Sequence, residues 1–417
     1  MSGAPGGFDI ITALWRVAVR TALRGYLFAL GFAGRMGREP RPPVGGYHVL
    51  LTGTFSSDNW ILAHLAPLAA ASACRRVTMV ATSPVPAIDK VDAVYPPQWL
   101  RRVAGDVASR LLVFIVVAVR TRPDAVGGFH LLINGLVAAL LARTTGARAW
   151  YFCVGGITEL RDGGVWGENA YFARIRWPDP VAERLLLRAA SAFDLIVTMG
   201  SGAIGELRRR GVIDPQFAVI SGGITDSGPP DRRRDREFDA ILVARLVPIK
   251  RIELFIDSIA ELRAVRPHSR AVIVGDGPLR AALTDHARRR GVAGAITFAG
   301  HQDDVRAWLG NARVFVLTSR SEGLALSMME AMMEGLPAVV PRVGDLGDLV
   351  EDGRNGYLID DPSPTTFAAH IAQVLRDDRR YREFADCARL SGMTVSTQAA
   401  TTRWESVLTD VPARVAT

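Results

Sequence analysis

Short apolar runs rich in β-branched residues alternate with helix-patterned stretches along most of this chain, and the pattern runs twice. Tyr47–Thr52, Val77–Thr82, Ala149–Val154 and Phe193–Met199 read as strands of a first half. Phe238–Ala244, Ala271–Gly275, Ala295–Ala299, Val314–Thr318, Ala338–Val340 and Gly356–Ile359 read as strands of a second. Strand and helix in alternation predict a parallel sheet covered on both faces. Between the halves, Ser221 to Arg236 is dense in Gly, Pro and charge and reads as a linker. The expected organisation is an arm at 1–46, a Rossmann-like domain at 47–222, a linker at 223–237, a second Rossmann-like domain at 238–395, and a closing helix at 396–417 that returns to the first domain. The expected fold class is α/β, with two doubly wound domains facing across a cleft and an amphipathic helix at the N-terminus.

Composition narrows the function classes. The 417 residues are 49% hydrophobic and 22% charged, which suits globular domains with ample cores. Net charge is +8, and all but Lys90 and Lys250 of the 50 basic residues are arginine, which reads first as codon bias. No helix-turn-helix, zinc-finger or RNA-recognition pattern accompanies the charge, so nucleic acid is not an expected partner. Cys74, Cys153 and Cys387 lie far apart, which excludes a disulfide scaffold and a cysteine-ligated zinc, and suits a reducing cytoplasm.

The arm concentrates the charge: six arginines stand against Asp9 and Glu39 in residues 1–46. On a helix Arg16, Arg20 and Arg24 form one stripe beside Trp15, Leu23 and Leu27. Arginines interrupt the apolar part, which argues against a signal peptide and a membrane span. The expectation is a helix lying on an anionic membrane surface through residues 8–38, peripheral to the inner face of the cytoplasmic membrane. The bland alternative is a helix docked on the protein's own surface. A second apolar run, Leu111 to Val119, is too short to span a bilayer and reads as the end of a helix stopped by Arg122-Pro123, with burial expected.

Ligands of open α/β sheets sit beyond the carboxyl ends of the strands. Arg245 and Lys250 follow the first strand of the second half and suit a phosphate. Gly275-Asp276-Gly277-Pro278 follows the next strand, where glycine permits close backbone approach. After Val314–Thr318, Glu322 falls in a loop, and a helix is predicted from about Ala325 to Gly335. The first-turn amides near Leu326 and Ser327 suit a phosphate. Glu330, one turn deeper, suits a diol such as a ribose. For each of these the structural alternative is an ordinary strand end or a solvated helix face.

Taken together these motifs carry a resemblance. R-L-V-P-I-K (Arg245 to Lys250), V-G-D-G-P (Val274 to Pro278), F-A-G-H (Phe298 to His301), E-x7-E (Glu322 to Glu330) and the segment Val339 to Gly356, which ends in V-E-D-G-x-N-G, resemble in order and spacing the donor domain of retaining family 4 glycosyltransferases with the GT-B fold. The resemblance covers about residues 238–390. It implies a nucleotide-diphosphate sugar as donor, with Arg245 and Lys250 on the diphosphate, Leu326 and Ser327 beside it, and Glu330 on the ribose. Glu322 would touch the donor sugar, and Gly275, Asp276, Gly277 and His301 would lie near the base. It implies transfer with retention in which the leaving diphosphate assists acceptor deprotonation. No cofactor and no essential metal are expected, since the chain has no D-x-D pair.

The first half resembles the family less closely. His130, after Phe129, matches its strand-end histidine and becomes the second candidate catalytic residue, a satisfied core histidine being the alternative. The loop Gly53–Asn59 lacks the usual Gly-Gly pair, and Cys153-Val154-Gly155-Gly156 stands where histidine-glycine is common. Residues 157–180, with Glu159, Trp166, Asn169, Tyr171 and Trp177, form a long connection suited to an acceptor or, equally, to ordinary cover over the cleft. The implied task is transfer of a sugar to a membrane-linked or growing glycan in polysaccharide or glycolipid synthesis. The rival readings are an idle glycosyltransferase-like membrane scaffold and a GT-B nucleotide-sugar epimerase.

Overall fold

A computed structural model describes residues 6–37, 40, 42–55, 57–156, 179–226, 228 and 236–410. The chain divides into two compact units, residues 1–223 with 400–417, and residues 224–399.

Unit 1 runs α1 (Gly6–Met36), β1 (Tyr47–Thr52), α2 (Asp58–Ala70), β2 (Cys74–Val80), β3 (Val91–Val94), α3 (Gln98–Thr121), β4 (Ala125–Phe129), α4 (Leu136–Thr145), β5 (Arg148–Cys153), α5 (Pro180–Ala190), β6 (Leu195–Thr198), α6 (Ser201–Arg209) and β7 (Gln216–Val219). All strand pairs are parallel, in the order β3-β2-β1-β4-β5-β6-β7. Period-2 alternation sorts side chains to two faces. Leu50, Val126, Ala149 and Ile196 pack with α1, α3, α4 and α5. Val49, Leu51, Trp150 and Val197 pack with α2 and with Trp404 of the closing helix. Trp404 is buried and stacks on Trp150 at 5.8 Å.

Strands β3, β4 and β7 of unit 1 escape a reading by hydrophobic pattern, whereas helix α3 is found where expected but packs differently. Strand β4 is Ala-Val-Gly-Gly-Phe, and its glycines mask it. A Cβ at Gly127 would overlap Leu51, and one at Gly128 would overlap the backbone of Asn134 and Gly135, so both positions need glycine. Helix α3 ends where expected, at a left-handed Arg122, but it is kinked at Gly105 (φ 76°). Its Leu111–Val119 stretch is only half buried: Phe114 and Ala118 enter the core, while Leu112, Ile115, Val116 and Val119 are exposed. The expectation of burial is corrected there, because a surface helix turns only one stripe inward.

The arm is helical and its inner stripe docks on its own unit. Trp15, Val19, Leu23, Tyr26, Leu27 and Leu30 join the core cluster of α4 and α5. Arg20, on the predicted arginine stripe, donates from Nε and Nη2 to the fully buried Asp179 carboxylate at 3.0 Å. Asp179 also caps α5 by accepting from Val181 and Ala182 amides. Burial alone would raise this carboxyl, but Arg20 and the two amides outweigh it and hold it below the ordinary carboxylate range. Arg20→Ala is expected to destabilise the protein by about 2–4 kcal/mol, because it leaves a buried charge with only its capping amides. The loss should shrink as pH falls through the range where Asp179 takes up a proton. A melting temperature unchanged at pH 7 counts against this anchor. Among the described residues no helix is long and apolar enough to cross a membrane.

Unit 2 runs β8 (Phe238–Val243), α7 (Ile252–Val265), β9 (Ala271–Val274), α8 (Arg280–Arg289), β10 (Ile296–Gly300), α9 (Arg306–Leu309), β11 (Ala312–Val316), α10 (Leu326–Met333), β12 (Ala338–Pro341), β13 (Gly356–Ile359), α11 (Pro364–Val374), α12 (Asp378–Met393) and α13 (Thr397–Asp410), the last passing into unit 1 from Ala400. Its sheet is again parallel, in the order β10-β9-β8-β11-β12-β13. The chain leaves β8 toward β9 and β10, then crosses back to β11 on β8's other side. That reversal is a topological switch point, the place where open α/β sheets bind their ligands.

Candidate active site

The switch point brings the expected residues of unit 2 together. After β8 the chain passes Arg245 and the buried Leu246, then makes one 3-10 turn over Pro248–Lys250. Thr318, at the end of β11, fixes that turn: its Oγ1 lies 2.9 Å from the carbonyl oxygens of both Lys250 and Arg251. The Arg320 amide adds a bond to the Ile249 carbonyl at 2.8 Å. Lys250 Nζ then reaches Glu322 Oε1 at 2.6 Å, with side chains 19% and 9% exposed. Behind Glu322, the loop after β12 presses in. The Asp345 amide donates to Gly323 O, and a Cβ at Gly344 (φ 57°) would overlap the Glu322 carbonyl. Neither Thr318 nor Gly344 stands out in sequence, since each acts through backbone contacts only the fold creates.

Helix α10 begins at Leu326, one residue inside the expected start. Among the described residues no side chain caps it and no acceptor meets the amides of Leu326 and Ser327, which stand at its positive end. Glu330 lies one turn in. Its carboxyl has no hydrogen-bond or salt-bridge partner among the described residues, and burial pushes it up to about 7, with Arg306 nearby opposing the shift. Arg306 is itself committed to Glu334, at 2.9 Å. A half-buried acid without a partner is costly, so Glu330 is a group suited to take one.

The remaining residues line the neighbouring strand ends. The Leu246 amide donates to Asp276 O at 2.9 Å, and a Cβ at Gly275 (φ 134°) or Gly277 would overlap the backbone of Ala244 or Leu246. The Gly-Asp-Gly turn therefore closes tightly on the Arg245 segment. Asp276 Oδ1 accepts from the Gly277 amide, and the Gly275 amide donates to Gly300 O, next to the exposed His301. Asn355 of the V-E-D-G-x-N-G run is fully buried, and its amide bonds to Leu349 O, Ser391 Oγ and the Glu351 amide. That motif residue holds the fold rather than a ligand.

His130 sits in unit 1, directly after β4, with a left-handed backbone (φ 64°) that non-glycine residues adopt only when the surroundings enforce it. Its amide donates to Phe152 O. The turn after it is held by Asn134, whose Nδ2 donates to Phe129 O at 2.7 Å. Asn134 Oδ1 in turn accepts from the buried Arg110, which also reaches Thr52 Oγ1 at 2.7 Å. Burial lowers Arg110 to about 10. Arg110 is one of four arginines of α3, and nothing in the sequence marks it for this role. Where the Gly-Gly pair is missing, Phe55 and Trp60 fill the space against Phe129 and the buried His64. The expected acceptor residues at 157–178 lie outside the described residues, as does most of the linker.

Comparisons agree with this layout. The family model Glycosyl transferases group 1 matches residues 228–391. D-inositol 3-phosphate glycosyltransferase 2 of Catenulispora acidiphila is 31% identical over 245 residues, covering 53% of this chain and 57% of that protein. N-acetyl-alpha-D-glucosaminyl L-malate synthase of Bacillus anthracis is 26% identical over 151 residues, covering 36% and 39%. The chain thus spans little more than half, or less, of these curated relatives. Among solved structures, Anabaena HepE in complex with UDP superposes with a TM-score of 0.66 at 17% identity, covering 87% of this chain and 99% of that one. The chain has the two-unit α/β fold of GT-B proteins, and residues 228–391, within its second unit, match the glycosyl transferases group 1 model.

Proposed function

We propose that the protein is a glycosyltransferase that moves a sugar, with retention, from a nucleotide-diphosphate sugar to a membrane-linked or growing glycan acceptor. The observation that carries this is the Lys250–Glu322 pair at the switch point, followed in the next helix, one turn from its start, by Glu330, whose carboxyl has no hydrogen-bond or salt-bridge partner among the described residues. The diphosphate would lie between Arg245, Lys250 and the first-turn amides of Leu326 and Ser327, so the charge that grows on the leaving group meets fixed donors. Glu330 would accept from the ribose hydroxyls. Glu322, steered by Lys250, would accept from hydroxyls of the donor sugar. Gly275, Asp276, Gly277 and His301 would border the base. His130, on its strained turn, would serve the reacting sugar and acceptor.

With two cations and a helix end on the diphosphate, this reading needs no metal for charge neutralisation. Donor hydrolysis and transfer are therefore expected to persist in EDTA. Activity that EDTA removes and Mg²⁺ or Mn²⁺ restores would contradict it. Relatives support the donor class: HepE has been solved with UDP and with UDP-glucose. The deciding experiment is a panel of nucleotide-diphosphate sugars, read by thermal shift and by slow donor hydrolysis. Protection together with hydrolysis supports the transferase. Protection by none of the panel favours an idle scaffold.

A further inference from the structure

Among the described residues, most of the exposed large apolar side chains of unit 1 lie on two helices of one side. Besides its docked stripe, α1 carries Leu14, Val17, Phe28, Phe32 and Met36, all exposed, Phe28 by 78%. At about 100° per residue these fall on a single stripe, roughly opposite the docked one. Helix α3 repeats the arrangement in two segments about its Gly105 kink. Trp99, Val103 and Val107 recur every fourth residue before and across it, and Leu112, Ile115, Val116 and Val119 recur at helical spacing beyond it. Val103 is 83% exposed and Trp99 66%. Among the described residues, unit 2 exposes only Val265, Leu390 and Met393 in this size class.

Both helices pack on the same face of the sheet, and both touch α4. Both are basic: each carries four arginines and one aspartate. Arg24 and Arg35 flank the outer stripe of α1, and Arg102, Arg120 and Arg122 border that of α3. All five are exposed. Beside Trp99, an open polar concavity is lined by Gln98, Arg101, Arg102 and Asp106. Apolar stripes of this extent are rare on a soluble surface, and arginines at their borders match negative charge next to hydrocarbon.

We infer that the outer stripes of α1 and α3 together form a docking surface for a bilayer bearing anionic headgroups. Phe28, Phe32, Trp99, Val103 and Val119 enter the interface, and the bordering arginines meet lipid phosphates. This deepens the membrane placement proposed for the acceptor by adding α3 and by assigning the outer stripe of α1, since the inner stripe and Arg20 are already committed to the fold. Its test reads lipid binding, not sugar transfer, so the two readings fail separately.

The full chain is floated with vesicles of phosphatidylcholine alone or mixed equally with phosphatidylglycerol. Partitioning onto the anionic vesicles is expected to exceed that onto the neutral ones by about tenfold or more and to weaken with salt. The double substitutions Phe28→Asp/Phe32→Asp and Val103→Asp/Val119→Asp should each lower it by about tenfold. Because these side chains are exposed, the melting temperature and nucleotide-diphosphate protection should stay those of the parent. Truncating the arm would be a poorer test, since it uncovers core residues. Failure to bind anionic vesicles, or binding that both double variants leave unchanged, overturns the inference. So does a parent that sediments as a dimer, is made monomeric by the same substitutions and ignores vesicles, which would give the surface to a second copy.

Discussion

Lys250→Ala is expected to lower kcat/KM for transfer about 10³-fold, and Glu322→Ala by a similar factor. The magnitude is that of removing one preorganised group aimed at charge developing in the transition state. Lys250→Arg should not restore it, because a planar guanidinium cannot replace a compact ammonium that already donates to Glu322 at 2.6 Å. A purely structural ion pair makes a different forecast. Each single variant leaves a largely desolvated partner alone, costing about 1–3 kcal/mol after discounting for the exposed part of Lys250. The double variant Lys250→Ala/Glu322→Ala removes both charges and should regain most of that stability. If the pair serves the donor, the double variant is stable and still inactive. If it regains transfer along with stability, the assignment fails.

What could be read from sequence follows from how locally each feature is encoded. The core strands Tyr47–Thr52 and Gly356–Ile359 show their full extent because buried parallel strands are continuous apolar runs. Strand β4 hides behind Gly127 and Gly128, whose bare Cα atoms answer to neighbours distant in sequence. The unit 2 site is legible because its residues sit on short loops at strand ends, so spacing along the chain translates into position at the switch point. Thr318 and Gly344 were not legible, because their contacts run from one loop to another. Nor was the Arg110–Asn134–Thr52 network, which joins a helix to two strand ends. The arm shows the limit of amphipathicity. Its periodicity reveals a two-sided helix, but only the packed structure tells which side is spent on α4 and α5 and which remains outside.

Glu330 should make nucleotide binding pH-dependent. Burial raises its carboxyl to about 7, against an ordinary value of 4.5, so between these pH values the donor-free folded protein holds a proton that the unfolded chain has lost. Stability of the free protein should therefore fall as pH rises through that window, by at most roughly 3 kcal/mol. Glu330→Gln, with no proton to lose, should remove that slope and melt higher than the parent at pH 8 but not at pH 4.5. Ribose hydroxyls donate hydrogen bonds, so they favour the ionised carboxylate and should draw the proton off. Affinity for a nucleoside diphosphate should then rise from pH 6 to pH 8, with proton release on binding near pH 7 detectable by calorimetry in buffers of different ionisation enthalpy. At pH 8 the glutamine variant should bind about 10–100-fold more weakly, the usual scale for hydrogen bonds to a charged acceptor, and with little dependence on pH. A variant that keeps parental affinity at pH 8, or a parent whose affinity falls across this range, would remove Glu330 from the nucleotide site and return it to the helix as a half-buried acid without a ligand.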